Sequence, residues 1–308
     1  MELRQLRYFI GVIEAGSLLG ASRMLHVAQP ALSQHMAALE AELGATLFVR
    51  SSRGMTPTDS GRRFAEHARI VLSDVERARQ AARADPVEPE GDVLVGLPTT
   101  VALVATLPIL QAVRSRFPKV TLRLVESHSG FLKEWLQTGR LDVSVLFGAA
   151  PETWLTQRPV LREELGFVFP PGLHAGGPKG LVFSRLADFA LLLPGKDHGL
   201  RRILDEACAL HGVRMNVVAE IDSLPNIKKA VEQGIACTVL SPAAVADEVR
   251  QGRLGCAQLR SPAISRTIVC ATSLSRPLSP AASAVAGLVY EQLRALVTGG
   301  HWPGSLED

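Results

Sequence analysis

Lysine is absent from the first 84 residues, cysteine is scarce, and no recognised catalytic signature interrupts the chain. The four cysteines, Cys208, Cys237, Cys256 and Cys270, show no CxxC spacing. That argues against a disulfide scaffold and reads as the reduced, buried thiols of a cytoplasmic protein. The opening MELRQLRYFIGVIEAG is charged throughout, unlike a secretory leader. One uncharged run, Val93 to Val113, is long enough to span a bilayer, but Gly96, Pro98, Thr99, Thr100 and Pro108 punctuate it. It reads as strand, turn and helix, and no membrane partner is expected. There is no G-x-S-x-G elbow and no H-E-x-x-H pair. GLHAGGPKG has phosphate-loop spacing from Gly172 to Gly177, but Pro178 displaces the lysine. Cys208 and His211 lie three apart without a third ligand cluster, so no metal and no cofactor is expected. An enzyme is disfavoured on these grounds.

What is present is unevenly placed. The 308 residues are 47% hydrophobic and 20% charged, a globular composition with room for two or three domains. Residues 1–84 hold eleven Arg and eight Asp or Glu, whereas the remainder balances at 22 basic and 22 acidic groups. The net +3 is therefore N-terminal and entirely arginine, which suits a polyanionic partner.

The first 84 residues read as helices with one short break. Leu6, Phe9, Ile10 and Ile13 form an amphipathic helix closed by Gly16, and Ser17 is a natural N-cap for the next, which carries Leu18, Ala21 and Leu25. After a turn at His26–Ala28, Pro30 suits the first helical position. In VAQPALSQHMAALEAELG, Leu32, Met36, Leu39 and Leu43 define a core face, but the leading turn carries Gln29, Ser33, Gln34 and His35. A helix needing only solubility would put Glu and Lys there. Helix, tight turn and helix with such a leading turn is a helix-turn-helix, in which Gln pairs with adenine edges and Ser donates or accepts in the major groove. The following hairpin, around Gly54, adds Arg50 and Arg53 for backbone phosphates. From Thr58 a long helix runs to about Ala84, and its seam Gly61, Phe64, Ala68, Val71, Val75, Ala78, Ala82 has heptad spacing suited to dimerisation.

DPVEPEG (85–91) reads as a hinge, after which strands and helices alternate in βαβ order, implying parallel sheets with a ligand cleft between two α/β units. Strands are expected at Val93–Leu97, Val120–Val125, Leu141–Phe147, Leu165–Phe169, Ala190–Leu193, Val213–Ile221 and Ala236–Leu240. Helices are expected at Val101–Arg116, Phe131–Thr138, Leu200–His211 and Leu224–Gln233.

The segment LRQLRYFIGVIEAGSLLGASRMLHVAQPALSQHMAALEAELGATLFVRSSRGMTPTDSG resembles the N-terminal signature of LysR-type transcriptional regulators, and RFPKVTLRLVE, LQTGRLDVSVLFG and LPGKDHGLRR extend the likeness along the chain. Ala28 departs from it, since many members carry serine as that helix cap. The resemblance implies a winged helix-turn-helix (1–58), a dimerising linker helix (59–84), a hinge (85–91) and an effector-binding domain (92–308) shaped like type 2 periplasmic binding proteins. Within the last, subdomain I is expected at about 92–163 plus 264–300 and subdomain II at about 164–263, the chain crossing near Leu161–Glu164 and Pro262–Ile264. It further implies promoter DNA, a small co-inducer, RNA polymerase and a homotetramer built from homodimers as partners. The expected DNA contacts are Gln29, Pro30, Ser33, Gln34, His35, Arg50 and Arg53.

For the effector, Thr99 and Thr100 start a helix directly after a strand, where free N–H groups and the helix dipole favour an anion. His128, Phe147, His198, Arg201, Ser223 and Thr238 are expected to line the same crevice. The competing reading is a cytoplasmic α/β binding protein or enzyme with no DNA role; the N-terminal eighty residues speak against it.

Overall fold

A computed structural model describes residues 1–51, 54–81, 88–148, 151–173, 175, 177 and 179–307. The chain forms two compact units, Met1–Asp85 and Pro86–Asp308.

In the first unit, α1 (Leu3–Ala15) ends on Gly16 in the left-handed conformation, φ 65°. The next helix, α2 (Leu18–Leu25), is capped by Ser17 Oγ, which accepts from the Gly20 N–H at 3.0 Å. It stops at His26, which is itself left-handed (φ 54°), a conformation that histidine tolerates better than β-branched residues. The third helix, α3 (Gln29–Leu43), begins one residue before Pro30, whose missing N–H is still among those without an intrahelical partner. Ala28 supplies no side-chain cap. Leu6, Phe9, Val12, Ala21, Leu32, Met36 and Leu39 interlock as the core between these helices.

The hairpin pairs β1 (Phe48–Ser51) with β2 (Gly54–Pro57), and Arg53 lies outside the described residues. Glu40 Oε1 fastens it to α3 by accepting from the N–H groups of Leu47 (2.7 Å) and Phe48 (3.1 Å). Thr58 Oγ1 caps α4 (Asp59–Ala81) through the Gly61 N–H at 3.0 Å. At Gly61 the helix approaches the hairpin so closely that a Cβ would lie 2.1 Å from the Leu47 carbonyl oxygen. The heptad seam on α4 divides. Gly61, Phe64 and Ala68 pack into their own unit, whereas Val71 is 40% exposed and Ala78 is exposed; Ala82 lies outside the described residues, as does part of the expected hinge.

In the second unit the expected parallel sheet is instead mixed. A six-stranded sheet runs β14 (Ser305–Leu306), β6 (Leu155–Glu164), β13 (Ser265–Ser273), β5 (Val143–Phe147), β3 (Gly91–Pro98), β4 (Val120–Ser127). Only the β3–β4 and β3–β5 pairings are parallel; β13 runs antiparallel to β5 and to β6. Alternation along β13 sends Ile268 and Cys270 to the face covered by α5 (Thr99–Arg116) and α10 (Pro280–Thr298), and Val269 and Ala271 to the face covered by α6 (Ser129–Thr138).

After Glu164 the chain enters a four-stranded sheet, β11 (Thr238–Leu240), β7 (Gly166–Phe169), β12 (Gly255–Arg260), β8 (Leu181–Val182), and it returns at Ser265. Beside it β9 (Ala190–Leu193) pairs parallel with β10 (Asn216–Glu220), and α7 (Gly199–His211), α8 (Leu224–Glu232) and the short α9 (Ala246–Arg250) complete this half. The expected strand at Val213–Ile221 is thus shorter, and β14 extends the first sheet beyond residue 300. Among the described residues no helix is long and apolar enough to cross a membrane.

Candidate functional site

Two surfaces carry chemistry, one in each unit. In the first, the leading turn of α3 is open: Gln29, Pro30 and Gln34 are exposed, and Ser33 and His35 are half-buried. Arg50 on β1 is exposed and donates from Nη2 to Ser33 Oγ at 3.2 Å, so hairpin and helix share one polar edge. The His35 ring packs edge-on against Tyr8 at 5.1 Å, which fixes its orientation. Short donors and acceptors backed by a cation suit base edges flanked by phosphates.

In the second unit, the carboxyl ends of β3, β4, β9 and β10 each feed a helix N-terminus, and these meet around one small pocket. Thr99, Thr100, His128, Phe147 and His198 line it, together with Ser127, Ser129, Asp222, Ser241 and Arg266. The cavity has room for a ligand of few atoms.

Arg266 is its cation. The side chain is 3% exposed; Nε donates to Glu163 Oε1 at 2.6 Å, Nη2 to Thr100 Oγ1 at 3.1 Å, and the guanidinium carbon sits 3.7 Å from the centroid of the Phe147 ring. Thr99 and Thr100 do not cap α5, whose N-cap is Pro98; Thr100 serves Arg266 instead. His128 and Ser129, at the start of α6, hold buried atoms, Nδ1 and Oγ, with no hydrogen-bond partner among the described residues. Buried polar atoms are seldom left so, and these two face the demand that a bound group would meet.

His198 is the N-cap of α7, and its Nδ1 accepts from the Leu200 N–H at 3.1 Å. Burial, then the neighbouring His128 and Arg266, push its pKa down to about 4. The ring is therefore neutral at pH 7, with its proton on Nε2. The Asp222 carboxylate accepts from the Gly195 N–H at 2.9 Å.

Three expected lining residues are placed elsewhere. Arg201, on α7, is buried with its Nε on Asp205 (3.0 Å) and its Nη1 on Glu220 (2.9 Å), so its charge is already paired within the second half. Thr238 is fully buried on β11 and donates to the Leu192 carbonyl at 2.7 Å, tying two strands. Ser223 stands at the N-cap of α8, but its hydroxyl neither caps the helix nor reaches the pocket. Ser127, Ser129, Asp222, Ser241 and Arg266 are additional to the expected residues. Ser129 follows His128 and was accessible to the same strand–turn–helix argument; Arg266 lies in an apolar strand, and a lone cation there is its only signal.

A unit that presents a polar helix end beside an arginine, and another that encloses a small polar cavity at strand ends, define a DNA-binding regulator with an effector domain. The sequence pattern of "Bacterial regulatory helix-turn-helix protein, lysR family" matches residues 3–62, and that of "LysR substrate binding domain" matches residues 87–294. The chain belongs to the LysR family of transcriptional regulators. It is 34% identical to the nitrogen assimilation regulatory protein nac of Klebsiella aerogenes over 286 residues, covering 92% of this chain and 93% of that protein. It is 32% identical to a probable hydrogen peroxide-inducible genes activator of Mycobacterium avium, covering 93% of this chain and 92% of that protein. A full-length OxyR variant from Pseudomonas aeruginosa shares the fold at TM-score 0.73 and 24% identity, covering 100% of this chain and 99% of that one. Full-length CbnR in complex with its target DNA shares it at TM-score 0.67 and 23% identity, covering 96% and 99%.

Proposed function

We propose that this regulator reads promoter DNA with the α3 leading turn and senses a small anion in the Arg266 pocket. The buried guanidinium carries the second half of this reading. Its own countercharge, Glu163, occupies one edge, while the starts of α5 and α6 supply N–H groups and the unsatisfied Ser129 and His128 atoms supply further hydrogen bonds.

On this reading Gln29, Pro30, Ser33, Gln34 and His35 address base edges, and Arg50 and Arg53 address phosphates. The division into DNA-binding domain (1–58), linker helix (59–84), hinge (85–91) and effector domain (92–308) follows the same logic. The exposed half of the α4 seam, Val71 to Ala78, supports a homodimer through that helix, and pairing of dimers gives the homotetramer. The protein performs no catalysis, acts in the cytoplasm and passes its signal to RNA polymerase. Effector binding shifts the population of dimer arrangements on DNA without changing the fold.

A thermal-shift screen against small carboxylates, aromatic acids and sulfonates, followed by DNA binding with each hit, tests this. Stabilisation by an anion that also alters the DNA complex is expected. Hits that are all neutral or cationic, or a hit that the protein turns over, would overturn it.

A further inference from the structure

Glu163 is fully buried and accepts three hydrogen bonds. Arg266 Nε meets Oε1 at 2.6 Å, and Ser241 Oγ and Trp302 Nε1 meet Oε2 at 2.5 and 2.7 Å. The partners are far apart in sequence: 78 residues separate Glu163 from Ser241, 103 from Arg266 and 139 from Trp302. Trp302 is 1% exposed and lies beyond α10, held by its N–H on the Leu296 carbonyl at 3.0 Å. The chain then adds β14 to the edge of β6, on the strand that carries Glu163.

A carboxylate in a dry interior keeps its charge only while donors fill its lone pairs. Of the three donors, Arg266 and Ser241 also line the pocket, and Arg266 is the one that carries a charge. An anion arriving at Arg266 competes with Glu163 for the guanidinium. As that bond weakens, the Glu163 charge leans harder on the indole N–H.

We propose that Glu163 and Trp302 are positioning residues for Arg266, and that the indole N–H ties the C-terminal segment to occupancy of the pocket. The second clause rests on the reading of the pocket as an anion site; the first does not.

The test uses the full-length protein. In a chain whose sole tryptophan is Trp302 (Trp135→Phe, Trp154→Phe), Arg266→Lys without ligand shifts the indole emission, whereas Arg201→Lys, a buried arginine paired elsewhere, does not. An emission unmoved by Arg266→Lys overturns the positioning role. In the second arm, calorimetry with inorganic sulfate on an otherwise native chain gives about tenfold weaker binding for Trp302→Phe, the loss of one hydrogen bond to a charged group. Trp154→Phe, which removes an indole bonded to Glu152, leaves sulfate affinity unchanged. Equal losses in both variants mean that Trp302 is merely structural. Should Trp302→Phe fold poorly, Glu163→Gln replaces it: with the competing charge gone sulfate binds more tightly, and unchanged binding contradicts the proposal. Sulfate that fails to bind the unmutated protein refutes the anion reading and the tie to occupancy, while the emission arm still decides the positioning role.

Discussion

The rings of His128 and His198 meet edge to face in the crevice, with centroids 4.9 Å apart and planes at 84°. One ring begins α6 and the other α7, so this contact joins the two halves of the Pro86–Asp308 unit directly. His198 faces His128, Arg266, Arg202 and Asp222, of which only Asp222 favours its charged form. A ligand at this pair therefore meets a neutral His198 and finds its positive charge in Arg266.

That neutrality makes stability depend on pH. The folded pKa of His198, about 4, lies below the ordinary 6.5, so the unfolded chain binds the extra proton first. Its contribution is complete above about pH 6.5 and is lost as pH falls towards 4, up to about 3 kcal/mol at full effect. Thermal unfolding from pH 7.5 to 4.5 should show a smaller decline for His198→Asn than for the unmutated protein. Parallel declines would contradict the assignment.

Thr100→Val removes the acceptor for Arg266 Nη2 while keeping the shape of the side chain. A buried donor loses its partner, at about 1–3 kcal/mol. Calorimetry with the anion found in the screen should show affinity reduced by tenfold or more, and gel-shift assays without that anion should show unchanged DNA binding. Unchanged anion affinity would remove Thr100 from the site.

The thiols are predicted to be unreactive. Burial pushes Cys237 and Cys256 up to about 11 and Cys270 up to about 12, and it raises Cys208 as well. Reactivity follows the thiolate. Labelling with a disulfide reagent at pH 7 should therefore be slow in the native protein and fast after denaturation. Rapid native labelling of even one thiol would show that its pocket opens.

Gly61 tests the joint between hairpin and linker helix. Because a Cβ would sit 2.1 Å from the Leu47 oxygen, Gly61→Ala must push the hairpin from α4, at a cost of about 1–3 kcal/mol. The first unit should melt earlier in calorimetry, and DNA affinity should fall with it; a neutral substitution would mean that the joint is pliable.

Much of the first unit was legible because its signals are local. The spacing of Leu6, Phe9 and Ile10, the Ser17 cap and the Gly16 stop are each written within one turn of helix. The strand–turn–helix rule likewise led to Thr100, His128 and His198. It could not tell which side chains at a turn face the crevice, since Arg201 is claimed by Asp205 and Glu220 and Thr238 by Leu192. Pairings such as β13 with β6 join segments a hundred residues apart and leave no local period to read. The Glu163–Arg266 pair was hidden for the same reason.

The central claim is that the exposed turn at the start of α3 reads base sequence. It is tested most directly by measuring binding of the unmutated protein and Gln29→Ala to a selected operator and to random duplex, across a range of salt. The account predicts a loss of about 1–3 kcal/mol on the operator alone, with random-duplex affinity and the salt slope unchanged. Equal losses on both duplexes would contradict it and make Gln29 a residue of the fold.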